Sequence, residues 1–482
     1  MSTLTKNTLF LTVASVGQKA IAFLYFALIA NRLGDESLLG AYFLALALTT
    51  TIGVLDDLGM TSVVIRETAK APQEVKRLLK NVLGWKVCAM PFTALLGVFL
   101  PSVLGFSPEA TLLVWYAIGV MLADTLSVTF YGALRGLQVV KYEALGIFVG
   151  QSLTTVFGAS ALFFAPFDLR LLIVALLVGS VWNALFSAVH VARRLGASSL
   201  VPSWTMGLAP LKMGSMFFLA ALFVKIYSYI DSFTIKMVLG QGAVGVYSVA
   251  YKLAYAFQFL PLAFVGALYP TMSAQLHDRV KLKETFLQSE WYLALLAAPV
   301  VFGLAALAPE VIGLVYGDRY LEAAPALQAL LVGLWFIFMD FPVGSLLNAS
   351  GMQHKKTAVM GVAMVINFIA NILLVRAFGI VGAGYSAILT FVALFGAGFY
   401  FVRSVVSVSF REWWGSVQGV TFAGLGMFAS VLVLKEVFGM VHPLGWLLAI
   451  PCGAAIFFAL GWWFGGIRKD HVQSVKHLLR RK

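Results

Sequence analysis

Two lysines stand where a lipid bilayer gives them no reason to be. Lys19 interrupts SVGQKAIAFLYFALIANRLG at residues 15–34, and Lys225 interrupts FFLAALFVKIYSYIDSF at residues 217–233. Both runs are otherwise apolar enough to cross a membrane. A lysine at the centre of such a helix is unfavourable by roughly 2.5–3.5 kcal/mol on insertion scales. An ammonium group there has three outlets: it snorkels to the interface, pairs with a carboxylate, or holds an anion. A third lysine, Lys252 in YSVAYKLAYAF, is also deep in an apolar run. Around it Tyr247, Tyr251 and Tyr255 recur every four residues, a spacing that makes one helical stripe. Such a stripe either packs against a neighbouring helix or forms a wall on which sugars stack, with Tyr251 and Tyr255 the candidates. Lys86 lies near a helix end, where snorkelling accounts for it.

The carboxylates in apolar surroundings are Asp56, Asp57, Asp124, Asp231 and Asp340. Asp57, Asp124, Asp231 and Asp340 are candidates to carry a coupling ion, H+ or Na+, or to balance a lysine. Asp231 follows Lys225 by six residues, which does not stack the two on one helix face. The DDLG run is expected to end a helix. Asn367 and Asn371, four residues apart, read as hydrogen-bonding groups between helices.

What is missing narrows the chemistry. The sequence has no G-x-x-x-x-G-K-[ST] phosphate loop, no G-x-S-x-G, no H-E-x-x-H and no Cys/His cluster. Its two cysteines, Cys88 and Cys452, each lie in an apolar run, which argues against a disulfide framework. No cofactor is expected, and energy for any transport must come from an ion gradient, the membrane potential or the substrate's own gradient.

The elements that position these residues are membrane helices. Of the 482 residues 61% are hydrophobic and 11% charged, against about 25% charged in a soluble domain. The net charge of +13 therefore reads as Lys and Arg collected on cytoplasmic loops, and nucleic acid is not an expected partner. The apolar start continues past any signal-peptide cut and reads as an uncleaved first helix. Apolar windows give fourteen spans, at 8–30, 38–64, 80–102, 110–134, 142–165, 169–192, 211–237, 243–270, 286–308, 324–348, 357–377, 381–404, 413–436 and 443–467. With both termini cytoplasmic, Arg66, Lys70, Lys76, Lys80, Arg193, Arg194, Lys281, Lys283, Lys355 and Lys356 all fall on the inner side. The tail DHVQSVKHLLRRK reads either as an amphipathic helix on anionic lipid or as a solvated end.

The chain also repeats itself. Leu33-Gly34 matches Leu239-Gly240, and after one gap Gly40 and Tyr42 match Gly245 and Tyr247. Further on, Gly136, Gln138, Lys141 and Gly146 match Gly351, Gln353, Lys356 and Gly361. The expected fold is all-α and integral to the membrane, with two pseudo-symmetric six-helix lobes at 1–205 and 206–410, helices thirteen and fourteen at 411–467, and a basic cytoplasmic tail at 468–482. An even number of helices per repeat gives both lobes the same orientation, and substrate would lie between them. The first offset, carried back fourteen residues, places Lys19 on Lys225. Repeat-equivalent lysines would face each other across a central cavity and repel unless an anion lies between them.

The stretch ANRLGDESLLGAYFLALALTTTIGVLDDLGMTSVVIRETAK resembles the opening of polysaccharide-biosynthesis flippases, the Wzx-type branch of the multidrug/oligosaccharidyl-lipid/polysaccharide exporter superfamily. So do LGQGAVGVYSVAYKLAYAFQFLPLAFVGALYPTMSAQ, VIGLVYGDRYLEAAPALQALLVG and LNASGMQHKKTAVMGVAMVINFIANILLVRAFGIVGAGYSAILTF. The resemblance covers most of the first twelve helices; the last pair agrees in hydropathy alone. It implies a fourteen-helix fold and flipping of a polyprenyl-diphosphate-linked oligosaccharide from the inner to the outer leaflet of the cell membrane, by a monomer that is not an enzyme. Glycosyltransferases and a polymerase would act alongside it. Lys19, Lys225 and, more weakly, Lys252 fall where basic residues of that family handle the diphosphate or acidic sugars. A peptidoglycan lipid-precursor flippase and a multidrug or cation exporter share the fold; the exporter calls for cavity carboxylates rather than lysines. A membrane polymerase or ligase would need a sizeable outer loop, and the one near 309–324 is too small.

Overall fold

A computed structural model describes residues 3–164, 168–204 and 207–467, with the backbone alone for 3–12, 263 and 267. The tail expected to lie on lipid, 468–482, is outside the described residues. Contacts divide the chain into two compact units, Met1–Ser248 and Val249–Lys482. The first contains α1 (Thr3–Leu33), α2 (Glu36–Asp57), α3 (Met60–Lys70), α4 (Val75–Val103), α5 (Pro108–Gly136), α6 (Lys141–Phe164), α7 (Leu169–Leu195), α8 (Ala209–Leu239) and the start of α9 (Gln241–Tyr255). The second continues with α10 (Phe259–Ala274), α11 (Arg279–Ala298), α12 (Leu304–Ala306), α13 (Ala308–Tyr316), α14 (Ala324–Ala349), α15 (Gln353–Phe378), α16 (Ile380–Val406), α17 (Phe410–Val441) and α18 (Ala449–Trp463). Among the described residues there is no strand, and fourteen helical stretches are long and apolar enough to cross a membrane. The protein is an all-α multi-pass membrane protein. The packing division at 248/249 and the duplication boundary read at 205/206 are different quantities, because α8 belongs to the second repeat by sequence yet packs on α2 and α3.

Three spans are broken where a continuous helix was expected, each for a backbone reason. The span read as 38–64 stops at Asp57; Leu58 and Gly59 take left-handed φ values of 47° and 70°, and α3 restarts at Met60. Gly59 is needed twice over, since a side chain there would be strained and would collide with the backbone of α8 at Gly214 and Phe218. The span read as 243–270 passes through a 3₁₀ turn at Ala256–Gln258, because Pro261 has no N–H for the Phe257 carbonyl. The span read as 286–308 begins seven residues earlier, at Arg279, and becomes a π-helix at Pro299–Gly303. Pro299 again removes an N–H from the ladder.

In the first unit α2 and α9 cross at two glycines. A Cβ on Gly40 would run into the Gln241 carbonyl and stand 3.1 Å from the Gly245 nitrogen; a Cβ on Gly245 would run into the Glu36 carbonyl and stand 3.1 Å from the Gly40 nitrogen. The contact is reciprocal, residue i and residue i−4 of each helix exchanging roles, so the crossing has a local twofold. Those partners are the ones the internal repeat aligns. Gln241 Nε2 locks the crossing by donating to the Ser37 carbonyl at 2.9 Å.

Buried charge ties α2, α3 and α4 together. Lys86, on α4, has no exposed surface, and its ammonium donates to Asp57 at 2.8 Å. This corrects the expectation that it snorkels. Thr61, one turn after Asp57 and on α3, also donates to that carboxylate. The neighbouring Asp56 is fully buried and accepts from Thr93 Oγ1 of α4 at 2.6 Å. The DDLG run thus does end a helix, and its two carboxylates hold the next two elements in place.

In the second unit α14 is largely buried and packs against α16, with Gly333 set against Ala387 and Phe391, and Gly384 against Ala329. Small residues let the backbones approach where lipid offers no hydrophobic drive. Asn367 Nδ2 on α15 reaches Thr390 Oγ1 on α16 at 2.8 Å, the interhelical bond its spacing suggested. Lys356, expected in an inner loop, is instead buried within α15, with its ammonium 2.5 and 2.7 Å from the two oxygens of Asp340.

Replacing Gly245 with Leu should lower stability by about 3 kcal/mol or more, since the added atoms meet backbone rather than yielding side chains. Gly242→Ala, whose Cβ meets nothing within 4 Å, should leave the thermal midpoint in detergent nearly unchanged. Lys86→Met should cost about 3 kcal/mol by stranding Asp57, and the double variant Lys86→Met/Asp57→Asn should recover most of it. Equal midpoints for the single and double variants would remove the pair from the account of stability.

Candidate functional site

The membrane lysines fall into two groups by what surrounds them. Lys86 and Lys356 are matched by aspartates, as described above. Lys435 on α17 is matched by Glu310 at 2.8 Å and the Ala306 carbonyl at 3.1 Å. Lys236, at the last turn of α8, donates to the Leu104 and Gly105 carbonyls after α4. Lys19 and Lys225 differ. Each is half-buried, and neither has a carboxylate partner among the described residues. The Lys225 ammonium stands 5.7 Å from the centre of the Tyr229 ring, one turn further along α8, a contact that suits a cation without neutralising it.

Their helices share a neighbour. α1 packs on α6 and also touches α2; α8 packs on α2 and α3. Beside Lys19, Gln18 Nε2 donates to Gln151 Oε1 of α6 at 3.2 Å, which fixes that face of α1 against α6. The helices that carry the two lysines therefore both touch α2, and no direct contact joins the two side chains among the described residues.

Lys252, Tyr251 and Tyr255 are half-buried on α9, the two rings meeting edge to face with centroids 4.6 Å apart. The stripe is not uniform. Tyr247, a turn earlier, is wholly buried and donates its hydroxyl to Asp231 of α8, so it packs the core, as the bland alternative for the stripe had it. Asp231 is also satisfied by the Ser232 N–H at 2.7 Å and makes no pair with Lys225.

Of the four candidate coupling carboxylates, three are thus engaged: Asp57 by Lys86, Asp340 by Lys356 and Asp231 by Tyr247. Asp124 on α5 stands apart. It is exposed, has no basic partner among the described residues, and opens on a cavity of about 230 Å³ inside the first unit. The cavity wall is mixed, with Ile65, Val128 and Ile147 beside polar groups that are already bonded: Tyr131 donates to Asn183 Oδ1 at 3.0 Å, and Arg135 holds Glu143 by two bonds, its Nε at 3.1 Å. Outside the spans, hydrogen bonds from Lys70 and Arg66 hold Glu67 below the usual carboxylate range, so it stays ionised where a proton carrier must titrate.

One buried acid escaped sequence reading. Glu290 on α11 is fully buried and accepts from the Trp413 indole of α17 at 3.2 Å, while its neighbour Trp291 donates to the Gly466 carbonyl at 2.6 Å. It sits in KETFLQSEWY, a polar stretch that reads as the inner end of a span. Its burial comes from α17 covering it, which local composition does not announce. Among the described residues no cluster of three or more metal-ligating side chains occurs.

Comparison with known proteins bears on this arrangement. The chain is 22% identical over 480 residues to the probable low-salt glycan biosynthesis flippase Agl15 of Haloferax volcanii, covering 99% of both chains. It is 24% identical over 346 residues to the succinoglycan biosynthesis transport protein ExoT of Rhizobium meliloti, covering 68% of this chain and 65% of the relative. Among solved structures, the lipid II flippase MurJ in an inward closed conformation superimposes with a TM-score of 0.74 at 17% identity, over 95% of this chain and 98% of the other. A multidrug resistance MATE family transporter in an inward-facing conformation does so with a TM-score of 0.67 at 16% identity, over 81% and 96%. These structural likenesses establish a shared fold. The sequence model described as polysaccharide biosynthesis protein matches residues 4–275, more than half of the chain, and the protein belongs to that family.

Proposed function

We propose that the protein is a flippase carrying a polyprenyl-diphosphate-linked oligosaccharide from the cytoplasmic to the outer leaflet of the cell membrane by alternating access. The observation that carries this reading is the contrast among the lysines: Lys19 and Lys225 stand in the membrane with no carboxylate partner among the described residues, while Lys86 and Lys356 are paired. A cation kept unmatched at that depth is costly unless an anion visits it. A diphosphate supplies that anion. Family membership and the full-length likeness to a protein named as a glycan flippase support the same class.

The division of labour follows from the chemistry. Lys19 and Lys225 screen the diphosphate as its charge crosses the low-dielectric region. Tyr251 and Tyr255, beside Lys252, offer faces on which sugar rings stack, and the polyprenyl tail stays in lipid. Asp124, open to its cavity and without a cation, is the carboxylate best placed to bind a coupling H+ or Na+. Both termini lie in the cytoplasm, as the distribution of Lys and Arg argues. No catalytic step is needed; the protein is a transporter rather than an enzyme. It works as a monomer beside glycosyltransferases and a polymerase that act on the same lipid-linked sugar. The same fold in MATE transporters brings a cation-exporter reading, but that reading leaves Lys19 and Lys225 unexplained.

In proteoliposomes with defined lipid-linked oligosaccharides, Lys19→Ala and Lys225→Ala should each slow flipping about tenfold, the worth of one charge-assisted contact. Arg at either position should retain most activity because the charge is kept. Wild-type flipping by the double alanine variant would sink the binding role. Asp124→Asn should abolish acceleration by an imposed pH or sodium gradient while leaving stability within about 1 kcal/mol of wild type. Retention of the full gradient response would move the coupling site elsewhere.

A further inference from the structure

At one end of the second unit, where α15 begins, α16 ends and α17 begins, lies a pocket of about 650 Å³ lined by Lys355, Tyr400, Arg403, Ser404, Ser407 and Ser409, among others. It is distant in sequence from every residue assigned to transport above. No carboxylate lines it. The acid in the first turn of α17, Glu412, is already engaged, by Lys283 at 2.5 Å and by the Ser409 backbone N–H at 2.9 Å. Lys355 and Arg403 therefore point a net positive charge into the pocket, and neither has a carboxylate partner among the described residues. The Lys355 ammonium is held 5.0 Å over the Phe401 ring, which positions it without cancelling its charge.

The approach to this pocket is apolar. Along α16 the exposed residues are Tyr385, Leu389, Val392, Gly396, Tyr400, Arg403 and Ser404, with Ser407 exposed just after the helix end. Their spacing of three or four residues as far as Arg403 puts them on one face. In a spanning helix an exposed apolar face is a lipid-facing face. That stripe turns from apolar to cationic at Arg403, with the 68%-exposed Tyr400 at the changeover, where the amphipathic ring of a tyrosine suits the headgroup level. Nothing lies within 4 Å of where a Cβ on Gly396 would stand, which leaves a shallow notch midway along the stripe.

We infer that this face of α16 is a binding site for an anionic glycerophospholipid, its phosphate held by Lys355 and Arg403 and an acyl chain lying along Leu389, Val392 and Gly396. A phosphate or diphosphate free in solution would use the cations but not the stripe. A zwitterionic lipid would use the stripe but meet an unmatched positive pocket. An anionic phospholipid satisfies both halves at once, and juxtaposed Lys and Arg at a membrane surface attract such headgroups.

The test uses the purified full-length protein in detergent, with lipid retention read by native mass spectrometry and thermal midpoint as a second measure. The probes are dioleoylphosphatidylglycerol, dioleoylphosphatidylcholine, inorganic phosphate and pyrophosphate. Wild-type protein should retain phosphatidylglycerol about tenfold better than phosphatidylcholine. Lys355→Gln/Arg403→Gln should erase that preference, and Lys355→Arg/Arg403→Lys should keep it. Gly396→Trp, which fills the notch and alters no charge, should weaken retention of phosphatidylglycerol. The inference is overturned if the double glutamine variant keeps the wild-type preference, if phosphatidylcholine is retained equally well, or if pyrophosphate or phosphate displaces phosphatidylglycerol at equal concentration. The lipid measurement does not pass through flipping, so its failure and a failure of the transport reading are separately visible.

Discussion

A charge inside a bilayer has to be answered, and the Lys86–Asp57 pair shows how much structure follows when it is. Asp57 closes α2, Thr61 opens α3 onto the same carboxylate, and Lys86 brings α4 to both. The left-handed turn at Leu58–Gly59 exists so that the chain can present these groups in sequence. A buried pair of this kind contributes little net stability against an apolar replacement; its weight lies in the penalty for any arrangement that separates the partners. It therefore specifies one packing of three helices. Lys356–Asp340 serves the same end in the second unit, joining α15 to α14.

Against that background the exceptions acquire meaning. Lys19 and Lys225 lie in comparable apolar runs, yet among the described residues no acid answers either. A protein that matches Lys86, Lys356 and Lys435 so closely has not left two lysines half-buried for want of aspartates. The same reasoning separates the carboxylates. Asp57, Asp231 and Asp340 are consumed by internal partners, whereas Asp124 faces a cavity whose one cation, Arg135, is held by Glu143. Among the described residues, unanswered charge rather than charge as such sets these groups apart.

The reciprocal crossing of α2 and α9 joins residues that the internal repeat aligns. Gly40 and Gly245, with Glu36 and Gln241 one turn back, make one contact twice about a local twofold. Only glycine permits that approach, because any Cβ would enter the partner's backbone. Hence the match in sequence and the match in space fall on the same residues.

The sequence by itself determined the class and the number of spans, and displayed the internal recurrence. All three follow from apolar length and recurrence, which are local or one-dimensional properties: fourteen stretches of the right length, and glycines at matched offsets. It also marked Lys19 and Lys225 as unusual and Asn367 as a cross-helix donor, because a polar group in an apolar run is visible without knowing its neighbours. Only the tertiary structure decided which polar groups are matched. Lys86 and Lys356 read as ordinary interfacial lysines and prove to be buried partners of Asp57 and Asp340, and Glu290 reads as part of a polar helix end yet lies sealed beneath Trp413. Those partners are sixteen, 29 and 123 residues apart in the chain. Whether a charge is satisfied depends on what the fold brings beside it, and no pattern along one helix encodes that.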